Sequence, residues 1–196
     1  MRKLILQMQT SVDCLVCDGE GTTDGFVWNW GPEWTWDEAL QGKFIELKKS
    51  IDCILLSRKM AEEGFIDYWH EIAVEDSLPA SRFAASIDAA EKVVFSRSPR
   101  TASWPRTRMA GKTLTEEIRD LKARGGKNMI AYGGAEFAAA LLRSGEVDEV
   151  KLFINPIAFG RGKNPFEGMT EAFRLRLARA EAFPCGVLVA EFEALH

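Results

Sequence analysis

Histidine and cysteine are scarce in this chain of 196 residues, and their scarcity excludes several kinds of site. The two histidines, His70 and His196, do not lie at the spacing of metal ligands, so we expect no metal site. Four cysteines are too few to form a disulfide framework at this size, which favours reduced thiols and a cytoplasmic protein. Cys14 and Cys17 have the spacing of half a zinc site or of a redox pair, but no second ligand pair accompanies them.

The sequence also lacks a long apolar run and an excess of positive charge. No apolar stretch approaches the roughly 20 residues needed to cross a bilayer. The 25 basic and 29 acidic side chains leave a net charge of −4, whereas nucleic acids and anionic membranes favour a basic face. We therefore expect no nucleic-acid or membrane partner, and the length suits a single domain over residues 1–196.

Strand-like apolar runs alternate with helical patterns along the chain, which predicts a layered α/β fold. Some runs, such as Cys53–Leu56, are continuously apolar, as in strands that helices cover on both faces. We predict strands at Lys3–Gln9, Asp52–Ser57, Lys92–Ser96, Asn128–Tyr132, Glu149–Ile154 and Val187–Phe192. We predict helices at Trp36–Lys49 with Thr35 as its cap, at Ser81–Ala90, behind the capping box Thr113–Glu116, and at Ala135–Arg143. The stretches 18–36 and 96–112 are predicted to be loops.

The strongest local signal is a strand that runs through Gly133 and Gly134 directly into a helix. Glycine permits a sharp turn and the close approach of a ligand. The first turn of the helix offers unpaired N–H groups and the positive end of the helix dipole, which together attract a phosphate. The alternative is a tight turn without a ligand, and this motif alone does not decide between them. The pattern Gly-x-Gly-x-x-Gly is absent, which disfavours a standard Rossmann site.

Two other predicted strands end in serine and arginine, at Ser57-Arg58 and at Ser96-Arg97. A guanidinium group matches the geometry of phosphate, and an arginine near an adenosine ribose selects NADP through its 2′-phosphate. One such pair would usually be a solvated strand end. Two pairs together with the Gly-Gly turn indicate a dinucleotide site built from three strand ends.

The order of these motifs resembles the dihydrofolate reductase superfamily, and most closely the RibD C-terminal domain, the reductase part of the riboflavin-biosynthesis deaminase/reductase. Ser11–Asp13 resembles the family's Ser-x-Asp-Gly turn, although Cys14 replaces the glycine. Ser57–Met60 resembles the loop that holds the cofactor's pyrophosphate and ribose. Ser96–Ser98 resembles the loop that holds its 2′-phosphate, and Gly133–Phe137 resembles the phosphate-binding turn.

The resemblance implies a three-layer sandwich, with a central mixed, mostly parallel sheet flanked by helices. It also implies an NADPH-dependent reductase that acts on a small heterocyclic or carbonyl substrate, such as a pyrimidine or pterin-like compound. The alternatives are an NADPH-binding protein or sensor without turnover and a structural or assembly module. The residues expected to bind the cofactor are Ser57, Arg58, Lys59, Ser96, Arg97, Ser98, Gly133, Gly134, Ala135, Glu136 and Phe137.

NADPH supplies a hydride but no proton, so the protein or a water molecule must provide the proton. Asp13 and Asp37 are the candidate catalytic residues, because we expect them nearest to the reacting ring; Glu38 is an alternative to Asp37. Asp13 could equally be a turn residue that binds its own backbone.

Trp30 and Trp34, in the glycine-rich loop, are candidates to stack on a flat substrate or to pack at the edge of the core. Gln7 could face the nicotinamide carboxamide or the sheet edge. The predicted strands Glu149–Ile154 and Val187–Phe192 could pair their edges across a two-fold axis, and we expect a homodimer.

Overall fold

The computed structural model describes residues 2–28, 35–75, 81–98 and 101–195, which build one eight-stranded sheet between two helical layers. The strands are β1 (Leu4–Thr10), β2 (Ile51–Ser57), β3 (Glu91–Phe95), β4 (Thr107–Met109), β5 (Asn128–Tyr132), β6 (Glu149–Ile154), β7 (Leu175–Ala182) and β8 (Leu188–Ala194). The helices are α1 (Glu38–Lys49), α2 (Arg58–Glu62), α3 (Phe65–Glu75), α4 (Ser81–Ala89), α5 (Leu114–Ala123) and α6 (Ala135–Arg143).

The strands lie in the order β4-β3-β2-β5-β1-β6-β8-β7. Neighbours from β4 to β6 are parallel, whereas β8 and β7 are antiparallel to their neighbours. This confirms the predicted mixed, mostly parallel sheet. Because parallel strands all end at the same edge, the loops after β1, β2, β3, β5 and β6 gather there, where ligands bind in open α/β sheets.

The central strands β1, β2 and β5 bury side chains on both faces because helices cover each face of the sheet there. Along β1, Ile5 packs into a core with α1, α3 and α4, whereas Leu6 packs into a second core with α5 and α6. Ile130 and Ala131 of β5 divide between the two cores in the same way. This alternation produces the predicted three-layer α/β sandwich.

The prediction of Thr35 as the cap of the first helix is wrong. The helix begins at Glu38, and the Asp37 side chain is its cap, because it accepts a hydrogen bond from the Leu40 N–H. The capping box of α5, from Thr113 to Glu116, is confirmed. The short strand β4 lies inside the stretch 96–112 that was predicted as a loop, and α2, α3 and β7 were not predicted.

The predicted pairing of β6 and β8 edges across a two-fold axis is also wrong. β6 is hydrogen-bonded to β1 and β8, and β8 is hydrogen-bonded to β6 and β7, so neither strand has a free edge. The outer strands of the described sheet are β4 and β7. Among the described residues, no helix has both the length and the apolar character that crossing a bilayer requires.

Candidate active site

The candidate site lies at the carboxyl ends of β3, β2 and β5, which are neighbours in the sheet. The register pairs Ser57 with Phe95, so Ser96 follows at the same edge. It pairs Leu56 with Tyr132, so the Gly-Gly turn follows there too. The structure therefore brings together the three motifs that the sequence predicted to form one site.

The Gly-Gly turn leaves space in front of α6. Gly134 is the N-cap, and no side chain caps the helix, so its first N–H groups have no side-chain acceptor among the described residues. A Cβ atom at Gly133 would lie 2.5 Å from the Phe137 ring, but one at Gly134 would meet no described atom within 4 Å. Neither glycine has a positive φ, so neither is required for an unusual backbone conformation, and only Gly133 is required for the packing of the protein itself. The opening beside Gly134 suits an anion.

The motif after β2 contributes a short helix and two exposed cations. Ser57 Oγ accepts a hydrogen bond from Met60 N at 3.3 Å and caps α2. Arg58 and Lys59 each form an ion pair with a glutamate one turn further along the chain. Exposed pairs of this kind contribute only about 0–1 kcal/mol, so both cations can exchange their partner for a phosphate at little cost.

The motif after β3 reaches across β2 to α6. The Arg97 side chain is 96% exposed, and its Nη2 lies 3.2 Å from Glu136 Oε2 in the first turn of α6. Ser96 Oγ donates to the Ser98 carbonyl at 2.9 Å and accepts from the Ser98 N–H at 3.2 Å, which holds the loop in a tight turn. Arg97 is thus positioned at the same edge as the Gly-Gly turn, beside the opening.

Asp13 connects the loop after β1 to the loop after β6. Its carboxylate accepts hydrogen bonds from the Gly160 N–H at 2.7 Å, from the Phe159 N–H at 3.2 Å and from the Ser11 hydroxyl. The hydrogen bonds from Ser11 and Gly160 lower the pKa of Asp13 below its ordinary value. Its carboxylate is therefore ionised at neutral pH and holds two loops together.

Asp37 is also occupied by backbone groups. Its carboxylate accepts hydrogen bonds from Leu40 N at 3.0 Å and from Cys185 N at 3.1 Å, in the turn between β7 and β8. Burial raises the pKa of Asp37, but these N–H groups outweigh it and the net pKa lies below its ordinary value. The turn between β7 and β8 that Asp37 contacts is separated by β1 and β6 from β5, the strand that leads into the Gly-Gly turn.

The predicted substrate contacts Trp30 and Trp34 lie outside the described residues. The start of their loop is attached to the sheet by Asn155, which is fully buried and accepts a hydrogen bond from Val27 N at 2.8 Å. Trp36 Nε1 donates to the Val27 carbonyl at 2.7 Å. Asn155 was not among the predicted site residues.

A polar cluster of Gln7, Lys48 and Tyr132 lies between the sheet and α1. Tyr132 Oη donates to Gln7 Oε1 at 3.1 Å, and Lys48 Nζ lies 4.2 Å from the centre of the Tyr132 ring. Tyr132 is the last residue of β5 and directly precedes the Gly-Gly turn. Sequence reasoning missed Lys48, because a lysine near the end of a helix is usually solvated.

Comparison with known proteins identifies the family. The family model for the RibD C-terminal domain matches residues 2–189. The chain belongs to the RibD C-terminal domain family. A curated relative, the uncharacterized protein YyaP of Bacillus subtilis (strain 168), is 29% identical over 102 residues, which is 52% of this chain and 54% of that protein. The match therefore spans about half the length of this relative.

Solved structures share the fold at low sequence identity. A candidate riboflavin biosynthesis protein from Shewanella sp. PV-4 has a TM-score of 0.70 and 16% identity, with 99% of each chain covered. The diaminohydroxyphosphoribosylaminopyrimidine deaminase/5-amino-6-(5-phosphoribosylamino)uracil reductase of Thermotoga maritima has a TM-score of 0.65 and 16% identity. That alignment covers 99% of this chain and 57% of the bifunctional protein.

Cys14 adopts a backbone conformation that glycine favours. Cys14 stands where the Ser-x-Asp-Gly pattern has glycine, and its φ of 60° is in the left-handed region. This is the conformation that glycine adopts at no steric cost, whereas a residue with a Cβ atom is strained there. The turn at Cys14 therefore carries some cost in conformational energy that a glycine would avoid.

Proposed function

We propose that this protein is a reductase that uses NADPH to reduce a small heterocyclic or carbonyl substrate, such as a pyrimidine or pterin-like compound. One observation carries the proposal: Ser57, Ser96 and Gly134 lie at the same edge of the sheet, after three adjacent strands. At that edge, Arg97 Nη2 lies 3.2 Å from Glu136 Oε2. Membership of the RibD C-terminal domain family favours the same class of reaction.

The residues at this edge fit the chemical groups of NADPH. The opening at Gly134 and the N–H groups of α6 would receive a phosphate of the pyrophosphate. Arg58 and Lys59 would contact the pyrophosphate and ribose, and Arg97 would bind the adenosine 2′-phosphate between Ser96 and Ser98. When bound, the nicotinamide supplies the hydride, and the protein's part is to orient the substrate and to provide a proton.

The first test is binding of NADPH and NADH by isothermal titration calorimetry. We expect Arg97→Ala to weaken NADPH binding by about tenfold or more, the worth of one charge-assisted hydrogen bond, and to leave NADH binding unchanged. Arg119→Ala is the matched control, because Arg119 is also exposed and paired with a glutamate, but lies on α5. Equal losses for both cofactors would overturn the 2′-phosphate assignment.

The second test is NADPH oxidation with a panel of pyrimidines, pterins and small carbonyl compounds. Turnover of any member supports the proposal and defines the substrate. Tight NADPH binding without turnover across the panel would favour an NADPH-binding protein or sensor. Absence of NADPH binding at millimolar concentration would overturn the proposal and favour a structural or assembly module.

A further inference from the structure

Lys48 is buried although it belongs to the last turn of α1. Its side chain is on the face that also buries Leu40 and Phe44, and the residue is only 3% exposed. Its Nζ has no hydrogen-bond partner among the described residues. Instead it lies over three rings, 4.7 Å from the centre of Phe44, 5.7 Å from Phe83 and 4.2 Å from Tyr132.

Among the described residues, no carboxylate pairs with the buried ammonium group of Lys48. Aromatic faces attract the ammonium group, but they replace only part of the solvation that it loses. Burial accordingly lowers the pKa of Lys48 well below its ordinary value. An anion formed close to Nζ would reverse this effect, because an opposite charge within ~4–6 Å favours the charged form.

Tyr132 is the group beside Lys48 that can become such an anion. Among the described residues, Tyr132 contacts three side chains: Gln7 of β1 at its hydroxyl, Lys48 of α1 over its ring, and Phe65 of α3 at 5.4 Å between ring centres. Of these three contacts only Lys48 carries an ionisable group. A negative charge on Tyr132 would therefore have the Gln7 amide at its oxygen and the Lys48 ammonium group over its ring.

We propose that Tyr132 gives the substrate its proton and that Lys48 is a positioning residue that holds the phenol and stabilises the phenolate left behind. The proposal rests on the proposed reductase function. The substrate carbon would accept a hydride, with both electrons of the new C–H bond, from NADPH. At the same time the π bond of the C=N or C=O group would break, and its electrons would move to the nitrogen or oxygen. The Tyr132 O–H bond breaks, the substrate nitrogen or oxygen takes that proton, and water later returns one to the phenolate.

Tyr132 suits this role better than the two predicted carboxylates. Asp13 and Asp37 have lowered pKa values and accept hydrogen bonds from backbone N–H groups, so neither has a proton to give at neutral pH. A phenol keeps its proton at neutral pH. Tyr132 also stands directly before Gly133, at the edge where the cofactor loops converge.

A titration tests the Lys48 contact without any turnover. The chain has only two tyrosines, so a Tyr68→Phe background leaves Tyr132 as the sole source of tyrosinate absorbance. In that background we expect Lys48→Met to raise the pH at which Tyr132 ionises by about 1–3 pH units. Lys48→Arg, which keeps a cation, should restore the original midpoint. Lys49→Met is the control and should change nothing, because Lys49 is exposed and paired with Glu46.

Turnover tests the role of Tyr132. We expect Tyr132→Phe to lower kcat by about 10²–10⁴-fold, the usual worth of a general acid, while NADPH affinity stays the same. A kcat within about tenfold of the wild type would overturn Tyr132 as the proton donor and leave the reductase proposal standing. An unchanged ionisation midpoint in Lys48→Met would overturn the role of Lys48, whether or not a substrate is known. Failure of the wild type to bind NADPH would overturn the reductase function instead.

Discussion

The two adjacent glycines of the phosphate-binding turn should respond in opposite ways to the same added methyl group. A Cβ atom at position 133 would lie 2.5 Å from Phe137 Cδ1, 3.0 Å from its Cβ and 3.1 Å from its Cγ. The Phe137 Cβ is fixed to the backbone of α6, and its ring packs against Phe95 at 5.7 Å between centres. Rotating the ring therefore does not relieve the clash.

The expected cost of Gly133→Ala follows from this geometry. Forcing one extra carbon into packed surroundings costs about 1–3 kcal/mol. For a chain of this size each 1 kcal/mol lowers Tm by about 2–4 °C, so we expect a loss of roughly 2–12 °C.

Gly134→Ala should leave stability almost unchanged. The new methyl group would meet no described atom within 4 Å, and the φ of −74° and ψ of 179° are open to any residue. Alanine is a poorer N-cap than glycine, but it also reduces the entropy of the unfolded chain, and the two effects nearly cancel to within about 0.5 kcal/mol. The methyl group would instead occupy the space expected for a phosphate, so NADPH affinity should fall by about tenfold or more.

Urea denaturation and calorimetric titration with NADPH separate the two outcomes. Gly133→Ala should have a lower free energy of unfolding, and Gly134→Ala a normal one with weakened cofactor binding. If Gly134→Ala binds NADPH as tightly as the wild type, the cofactor does not approach this turn. If Gly133→Ala is as stable as the wild type, the turn is less tightly packed than the distances indicate.

Three other predictions concern stability and assembly. Asp37→Ala should lower the free energy of unfolding by about 1 kcal/mol at pH 7 through loss of the α1 cap. The folded pKa of Asp37 lies below its ordinary value, so its contribution to the free energy of unfolding is complete above that ordinary value and is lost as pH falls through the folded pKa. Asp37→Asn keeps the cap and should lack this acid dependence when urea denaturation is measured across pH. Asn155→Ala should lower the free energy of unfolding by about 1–3 kcal/mol, because Val27 N and Gln9 lose a hydrogen-bond partner. It should also speed proteolysis at residues 19–28, and unchanged cleavage would contradict the role of Asn155 in attaching this loop. We also propose a homodimer that pairs through β7, an outer strand of the described sheet, and a monomer in sedimentation velocity at micromolar concentration would contradict it.

Sequence reasoning succeeded where local chemistry determines the structure. The bounds of β5 and α6 are confirmed as Asn128–Tyr132 and Ala135–Arg143, because an apolar run, two glycines and an alanine-rich helix follow one another without ambiguity. It also indicated that the motifs ending β2, β3 and β5 share an edge, since parallel strands require it.

Prediction from the sequence failed where tertiary contacts override the intrinsic secondary-structure preference of the residues. The strand β7 reads Leu-Arg-Leu-Ala-Arg-Ala-Glu-Ala, which is rich in helix-forming residues, and it is extended because it pairs with β8. The helix α2 has five residues, too few to show a period. Lys48 looked solvated, although the spacing of Leu40, Phe44 and Lys48 at every fourth position placed it on the buried face of α1.

The position of β1 in the middle of the sheet has a consequence for how the chain folds. Contacts of β1 span 125 residues between Gln7 and Tyr132, and 144 residues between Leu4 and Asp148. A strand made early must therefore remain unpaired on the ribosome until most of the chain has been synthesised, with its apolar side chains open to chaperones. The segment from β2 to β3 meets no such delay, and we expect it to gain amide protection first, with β1 entering the sheet as one of the last steps.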